Sequence, residues 1–132
     1  MLGILQEAYD SDSLRMKQSA IYAMGRSSDD RWLPFLVSDM KDEDASIRYE
    51  AVNACGYLGD ENLVPSIIDM TEDEDVQVQV AAVQALGNIG GSLAKQALMR
   101  TLNTGDQSLE EAAEEALSTI DFDDDPLGFR FQ

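Results

Sequence analysis

A chain of 132 residues can bury one hydrophobic core and makes one domain. Nine Lys and Arg residues stand against 26 Asp and Glu residues, which leaves a formal net charge of −17. This balance argues against binding to nucleic acids or anionic membranes, since both need clustered basic side chains. The acidic surface has two interpretations, which are plain solubility and recruitment of a basic protein or peptide.

The chain contains a single cysteine, Cys55, and no apolar run near the ~20 residues that a membrane span needs. The N-terminal segment MLGILQEAY is too short and too acidic to be a signal peptide. One cysteine cannot form an internal disulfide, which is typical of a reducing compartment. We therefore expect a cytoplasmic protein.

A repeated unit organises the sequence. The segment DVQVQVAAVQALGNIG at 75–90 aligns with DASIRYEAVNACGYLG at 44–59, a shift of 31 positions. The same pattern recurs from Ser13 and again from Asp106. A set of positions that align between the copies is called a column. Four copies at one spacing predict a solenoid, in which each unit packs on its neighbours.

Each unit contains two apolar patterns with helical spacing, here termed pattern A and pattern B. Pattern A begins after a residue suited to cap a helix and carries Ala at two columns. The predicted caps are Ser13, Asp44, Asp75 and Asp106. A glycine recurs near the end of pattern A, where we expect a helix end or a tight turn; the positions are Gly25, Gly56 and Gly87. Pattern B carries Pro34 or Pro65, which we place in the first helical turn.

These patterns predict an all-α fold, a right-handed superhelix of about eight helices over residues 1–120. Repeats begin at 13, 44 and 75, and residues 106–120 form a capping helix whose outward columns become acidic at Glu111 and Glu114. Residues 2–10 align with pattern B alone. Either Met1 is a natural start, or the chain was cut from a longer solenoid; the apolar Leu2 and Ile4 favour the cut.

The last segment, DFDDDPLGFRFQ at 121–132, forms an acidic and aromatic tail. Its Asp residues, Pro126 and Gly128 oppose a helix. The tail has three interpretations: it folds back over the end of the stack, it docks on another protein, or it is disordered.

The unit D-x-x-V-x-x-x-A-V-x-A-L-G-x-I-G, followed by L-V-P-x-I-I, resembles a HEAT repeat of the short bacterial and archaeal type named for phycobilisome lyases. The resemblance implies an armadillo-type α-solenoid with pattern B on its concave surface and a role in binding proteins. Such repeats often carry Arg after the Val of pattern A. That column here holds Lys17, Arg48, Gln79 and Glu110, so we expect a ladder of ion pairs between repeats only in the first half.

No catalytic, cofactor or metal residue is predicted. The chain has no His, which removes His-based acid–base chemistry and the His-Glu iron motifs of HEAT-like deoxyhypusine hydroxylases. Cys55 occupies a core column and is expected to be a buried structural thiol. Asp121, Asp123 and Asp125 mimic the start of a calcium loop, but Pro126 replaces its essential glycine.

The sequence therefore predicts a non-catalytic protein–protein interaction scaffold, either a small family member or a C-terminal fragment, that binds its partner along pattern B. The alternative is a subunit of a phycobilin lyase-like complex. The candidate partner-binding residues are Arg31, Trp32, Phe35, Ser38, Asp39, Asn62, Ser66, Asp69, Met70 and Arg100. Trp32, Phe35 and Met70 are the candidate anchors. Equally, Trp32 and Phe35 could pack beneath the neighbouring loop instead.

Overall fold

The computed structural model describes residues 2–10, 13–27 and 29–124, which form eight α-helices and no strand. The helices are α1 (Leu2–Tyr9), α2 (Leu14–Arg26), α3 (Leu33–Asp39), α4 (Ala45–Leu58), α5 (Val64–Met70), α6 (Val76–Ile89), α7 (Ser92–Thr101) and α8 (Gln107–Asp124). Short 3-10 turns, Asp30–Trp32 and Glu61–Leu63, lead into α3 and α5. The predicted all-α repeat fold is confirmed.

The helices form two layers around one core. Pattern A produces the long helices α2, α4, α6 and α8, which pack side by side in chain order. Pattern B produces the short helices α1, α3, α5 and α7, which pack across them. The predicted N-caps are confirmed, because each side chain accepts a hydrogen bond from a backbone N–H of its helix; the four are Ser13, Asp44, Asp75 and Asp106. Pro34 and Pro65 lie in the first turns of α3 and α5, also as predicted.

The recurrent glycines lie near the ends of the long helices, as predicted, but they also make a contact that was not predicted. They lie inside the long helices rather than in turns, and each faces the next long helix. A Cβ built on Gly56 would lie only 2.8 Å from the Cβ of Ala85. The equivalent distance is 2.8 Å from Gly25 to Ala54 and 2.7 Å from Gly87 to Ala116. These glycines therefore allow two helix backbones to meet, whereas the left-handed cap of α4 is Gly59, with φ 71°.

Close packing in one layer and loose packing in the other determine how the stack curves. The long helices contact one another extensively, whereas α5 and α7 touch lightly and α3 and α5 still less. A two-layer stack bends toward the layer with the smaller spacing. The long-helix layer is therefore the inner, concave one, which corrects the expectation that pattern B lines the concave surface.

A recurring column of polar side chains ties the long helices to the loops beside them. Arg48 donates from Nε and Nη2 to Asp73 at 2.9 and 3.1 Å, and from Nη1 to the carbonyls of Asp42 and Glu43 at 2.8 and 3.0 Å. One repeat earlier, Lys17 Nζ lies 3.6 Å from the Asp42 carboxylate. In the second half the same column makes hydrogen bonds: Gln79 Nε2 donates to the Thr71 carbonyl, and Glu110 accepts from the Gly105 N–H.

The first helix is held by a polar and aromatic contact. Tyr9 donates its hydroxyl hydrogen bond to Asp39 Oδ1 at 2.7 Å, and its ring meets Phe35 edge-on with centroids 5.1 Å apart. The ammonium of Lys17 sits 4.9 Å from the centroid of the Tyr9 ring. This pattern B helix therefore packs as its alignment predicts.

The last helix is longer than predicted. It continues through residues 121–124, which the sequence analysis assigned to the tail. The acidic residues that follow Ile120 therefore do not end the helix. Glu114 is exposed in the column where Ile21, Val52 and Val83 are buried, so the acidic outward face of this helix is present. The three interpretations of the tail concern residues 125–132, which lie outside the described part of the chain.

Substituting one of the contact glycines should weaken the fold. Gly56→Ala is expected to be less stable than Gly3→Ala by about 1–3 kcal/mol, because its methyl group overlaps Ala85. Gly3 is the matched control: it is helical, and an added Cβ there would meet no neighbour within 4 Å, so only Gly56→Ala adds a clash to the exchange of a helical glycine for alanine. Urea unfolding measures the difference. Equal stabilities would contradict the contact.

Removing the Arg48 side chain should also destabilise the protein. Arg48→Met removes the Arg48 donors from two loop carbonyls and from the carboxylate of Asp73, which keeps the Asp75 N–H, at a cost of about 1–3 kcal/mol. Arg31→Met is the control, because the Arg31–Asp29 pair is exposed and a smaller change is expected. If both variants melt at the same temperature, the inter-repeat ion pair does not contribute to stability.

Mild acid is expected to stabilise the protein. Burial raises the pKa of Asp39 and of Glu50 above their ordinary values. A carboxyl with a higher pKa in the folded than in the unfolded state destabilises the fold at neutral pH, and this cost disappears as the pH falls toward the folded pKa. Repulsion among the 26 carboxylates declines in the same direction.

The melting temperature should therefore rise from about pH 7 to about pH 5, and it should rise less in Asp39→Asn. Below about pH 4 it should fall, because hydrogen bonds from Ser46 hold the pKa of the Asp44 cap below its usual value. Scanning calorimetry across this range gives the profile. A steady decline from neutral pH would show that neither carboxylate repulsion nor the burial of Asp39 limits stability.

Candidate functional site

The predicted binding residues lie on the short-helix layer and differ widely in exposure. Three of them are buried, namely Trp32, Asp39 and Met70. Two are half-buried, Phe35 and Ser66. Five are exposed, namely Arg31, Ser38, Asn62, Asp69 and Arg100. The structure therefore does not bring the set together as one accessible surface.

The predicted anchors Trp32 and Met70 are part of the core. Trp32 ends the 3-10 turn before α3, and that turn directs its side chain inward against Phe35, with ring centroids 5.6 Å apart. Trp32 is 4% exposed and Met70 7% exposed. Both side chains lie almost wholly in the core, although Trp32, with Arg31 and Phe35, still lines an open surface pocket. Their role as anchors stays a prediction. Asp39 is likewise buried, at 3% exposure, and accepts a hydrogen bond from Tyr9.

The opposite side of the molecule carries an accessible surface that the sequence analysis did not identify. It consists of the three columns of the long helices that point away from the core, and we call it the long-helix face. Its members are Gln18, Tyr22, Arg26, Tyr49, Asn53, Tyr57, Val80, Gln84, Asn88, Glu111, Glu115 and Thr119, all exposed or half-buried. Because the long-helix layer is the inner one, this face is the concave side of the stack.

An arginine lies between two tyrosines at the first end of the face. The guanidinium carbon of Arg26 is 3.9 Å from the ring centroid of Tyr22 and 3.9 Å from that of Tyr57. Tyr22 precedes Arg26 by one helical turn, and Tyr57 occupies the column of Arg26 in the next repeat. The rings are 53% and 58% exposed. This stack fixes a long side chain at the surface and leaves the N–H edges of the guanidinium open.

The middle of the face contains a shallow apolar cavity of about 460 Å³ between α4, α6 and the start of α8. Tyr49, Val76 and Val80 provide its apolar walls, and Gln77, Gln84 and Ser108 provide its polar rim. Tyr49 and Val76 are 39% and 50% exposed. A cleft of about 230 Å³ continues the face between α6 and α8, with Asn88, Glu115 and Thr119 at its edges.

Charge changes sign along the face. Arg26 is its one basic residue, and Glu111 and Glu115 lie at the far end on α8. Glu50, beside the face on α4, has its pKa raised by burial, an effect that the charge of Arg26 opposes. Among the residues described, none of the salt bridges involves Arg26. The face is therefore cationic at α2, neutral through α4 and α6, and anionic at α8.

Reactive groups are not gathered on this face. Cys55 is fully buried, and burial, with a smaller effect of Asp39, raises the pKa of its thiol to about 12. The expectation of a buried structural thiol is confirmed. Within residues 2–10, 13–27 and 29–124, no cluster of acidic or Cys side chains could hold a metal ion, and no helix is long and apolar enough to cross a membrane.

A signal for the arginine–tyrosine stack exists in the sequence. Tyr22 and Arg26 are four residues apart, and Tyr57 follows Arg26 by the 31-residue repeat. Residues at these spacings meet on one helix and between adjacent repeats. The aromatic and polar residues of the stack lie in columns beside the core columns of pattern A, and the apolar periodicity indicates only the core columns.

Comparison with known proteins supports the repeat assignment. A family profile described as HEAT repeats matches residues 33–118, more than half of the chain. No curated protein matches the sequence.

Two solved structures share the fold. Human deoxyhypusine hydroxylase, solved in complex with glycerol, gives a TM-score of 0.79 at 23% identity over 92% of this chain and 43% of its own. The complex of CpcE and CpcF, the phycocyanin lyase of Nostoc sp. PCC7120, gives 0.75 at 26% identity over 94% of this chain and 55% of the matched one. The chain thus spans about half the length of each.

The hydroxylase likeness, at this identity, shows the fold alone, and the family match carries the assignment. The matched region covers α3 to most of α8, and the structure of that region is a stack of paired helices at one repeat spacing. The chain belongs to the HEAT-repeat family.

Proposed function

We propose that the chain is a non-catalytic protein-interaction module that binds a partner protein on its long-helix face. The observation that carries the proposal is the exposed stack of Arg26 between Tyr22 and Tyr57. Tyr and Arg are the residues that most often dominate the energy of protein interfaces. Ordering them in advance lowers the entropy lost when a partner binds.

The neighbouring cavity supports the same surface. Tyr49, Val76 and Val80 expose apolar area on the same face, with the amide of Gln84 at its border, and Asn88 borders the adjoining cleft. An apolar centre with a polar rim is the usual composition of a protein interface. The similarity to a lyase that is solved as a complex of two proteins also favours binding to another protein.

Site-specific photo-cross-linking in the cells that express the protein tests this proposal. We expect p-benzoylphenylalanine at Tyr57 to give one defined cross-linked product, because this position lies on the long-helix face. Met99 on α7 is the matched control, since its 53% exposure is close to the 58% of Tyr57 but it lies on the short-helix layer. Gel analysis and mass spectrometry detect the product.

A defined product from Met99 and none from Tyr57 would contradict the proposal. It would instead place binding on the short-helix layer, where the exposed Arg31, Asn62 and Arg100 were predicted. Products from neither position would also count against it.

A second candidate is a subunit of a chromophore-handling lyase, which the likeness to the phycocyanin lyase complex favours. A linear tetrapyrrole carries carboxylates, and the open edges of Arg26 suit such groups. Under this candidate, biliverdin mixed with the protein should show a shifted absorbance band that Arg26→Gln weakens. An unchanged spectrum would remove the candidate and leave the first proposal standing.

A further inference from the structure

The charge pattern of the long-helix face indicates what kind of segment it accepts. We infer that the partner presents an extended segment of about eight residues, with a carboxylate at the Arg26 end and a Lys or Arg at the Glu111–Glu115 end. This inference rests on the proposed function and specifies the partner's chemistry and its direction across the helices.

The stack around Arg26 selects a carboxylate. The tyrosine rings cover both faces of the guanidinium, so its N–H edges are the part left for a partner. Those edges form a planar fork that matches a carboxylate with two parallel hydrogen bonds. Holding the side chain between two rings also limits the conformational freedom that binding would otherwise remove.

The far end of the face selects a cation. Glu111 and Glu115 are one turn apart on α8, both are exposed, and neither makes a salt bridge among the described residues. The sequence from Thr101 to Asp124 contains no Lys or Arg that could neutralise them. A partner's basic side chain placed here gains a charge-assisted hydrogen bond in a strongly negative field.

The distance between the two ends gives the segment length. Packed helices lie about 8–10 Å apart, so the three steps from α2 to α8 span roughly 24–30 Å. An extended chain rises about 3.3 Å per residue, which gives about eight residues. Between the ends, the cavity at Tyr49, Val76 and Val80 accepts an apolar side chain.

Selection of random peptides on the purified full chain tests the inference. The library displays nine random residues between flexible Gly-Ser flanks, and selection is run at moderate salt to suppress non-specific attraction. We expect enriched peptides to carry Asp or Glu near one end and Lys or Arg near the other. Arg26→Gln should abolish only the preference for an acidic residue. The double variant Glu111→Gln with Glu115→Gln should abolish only the preference for a basic residue.

The matched control is Glu43→Gln with Glu72→Gln, which makes the same change in net charge at exposed loop positions off the face. It should leave both preferences intact. Fluorescence anisotropy measures the affinity for a selected peptide, which Arg26→Gln should lower about 10- to 100-fold. When the acidic residue of that peptide is changed to its amide, Arg26→Gln should cause no further loss of affinity. Circular dichroism confirms that each variant is folded.

Two outcomes would overturn the inference. One is enrichment of Lys and Arg at every position, reduced equally by the face pair and the control pair, which would mean that net charge alone selects the ligand. The other is no enrichment at all. If either outcome occurs while Tyr57 still gives its cross-linked product, the inferred partner chemistry is wrong and the proposed interaction module stands. If Tyr57 gives no product, the proposed function itself is contradicted.

Discussion

The contact between a glycine of one long helix and an alanine of the next is the constraint on which the rest of the structure depends. At Gly25, Gly56 and Gly87, any added Cβ would lie within 2.8 Å of the neighbouring helix. This close approach gives every repeat the same step, and the apolar side chains of the short helices fill the space beneath. Large core residues alone would hold the helices further apart and would not produce the same register.

The small spacing of the long helices also determines what the protein presents to solvent. It makes their layer the inner one and brings residues of equivalent columns in adjacent repeats into contact. Arg26 can therefore lie between Tyr22 of its own helix and Tyr57 of the next, each at 3.9 Å. The columns that carry these residues take no part in the core, so they are free to differ between repeats. The residues of the face change from basic at α2 to acidic at α8, so the two ends of the face differ in charge.

The sequence predicted the features that repeat, because each depends on local chemistry or on a fixed spacing. The caps at Asp44 and Asp75, the position of Pro65 and the core columns are of this kind. The role of Gly56 could not be predicted, since a glycine near a helix end favours a turn as well as a close contact. The burial of Trp32 could not be predicted from the helical stripe, since Trp32 belongs to the 3-10 turn before α3. The stack on Arg26 was missed because its columns lie beside the apolar columns on which the prediction rested.

Amide hydrogen exchange of the full chain, with and without its cross-linked partner protein, tests most directly whether the long-helix face is the binding surface. Exchange should slow in α2, α4 and α6 when the partner is bound, because opening of these helices would then break the interface. Exchange in α3, α5 and α7 should change less. Protection confined to the short helices, with α4 and α6 unchanged, would contradict the assignment of the inner face as the site of binding.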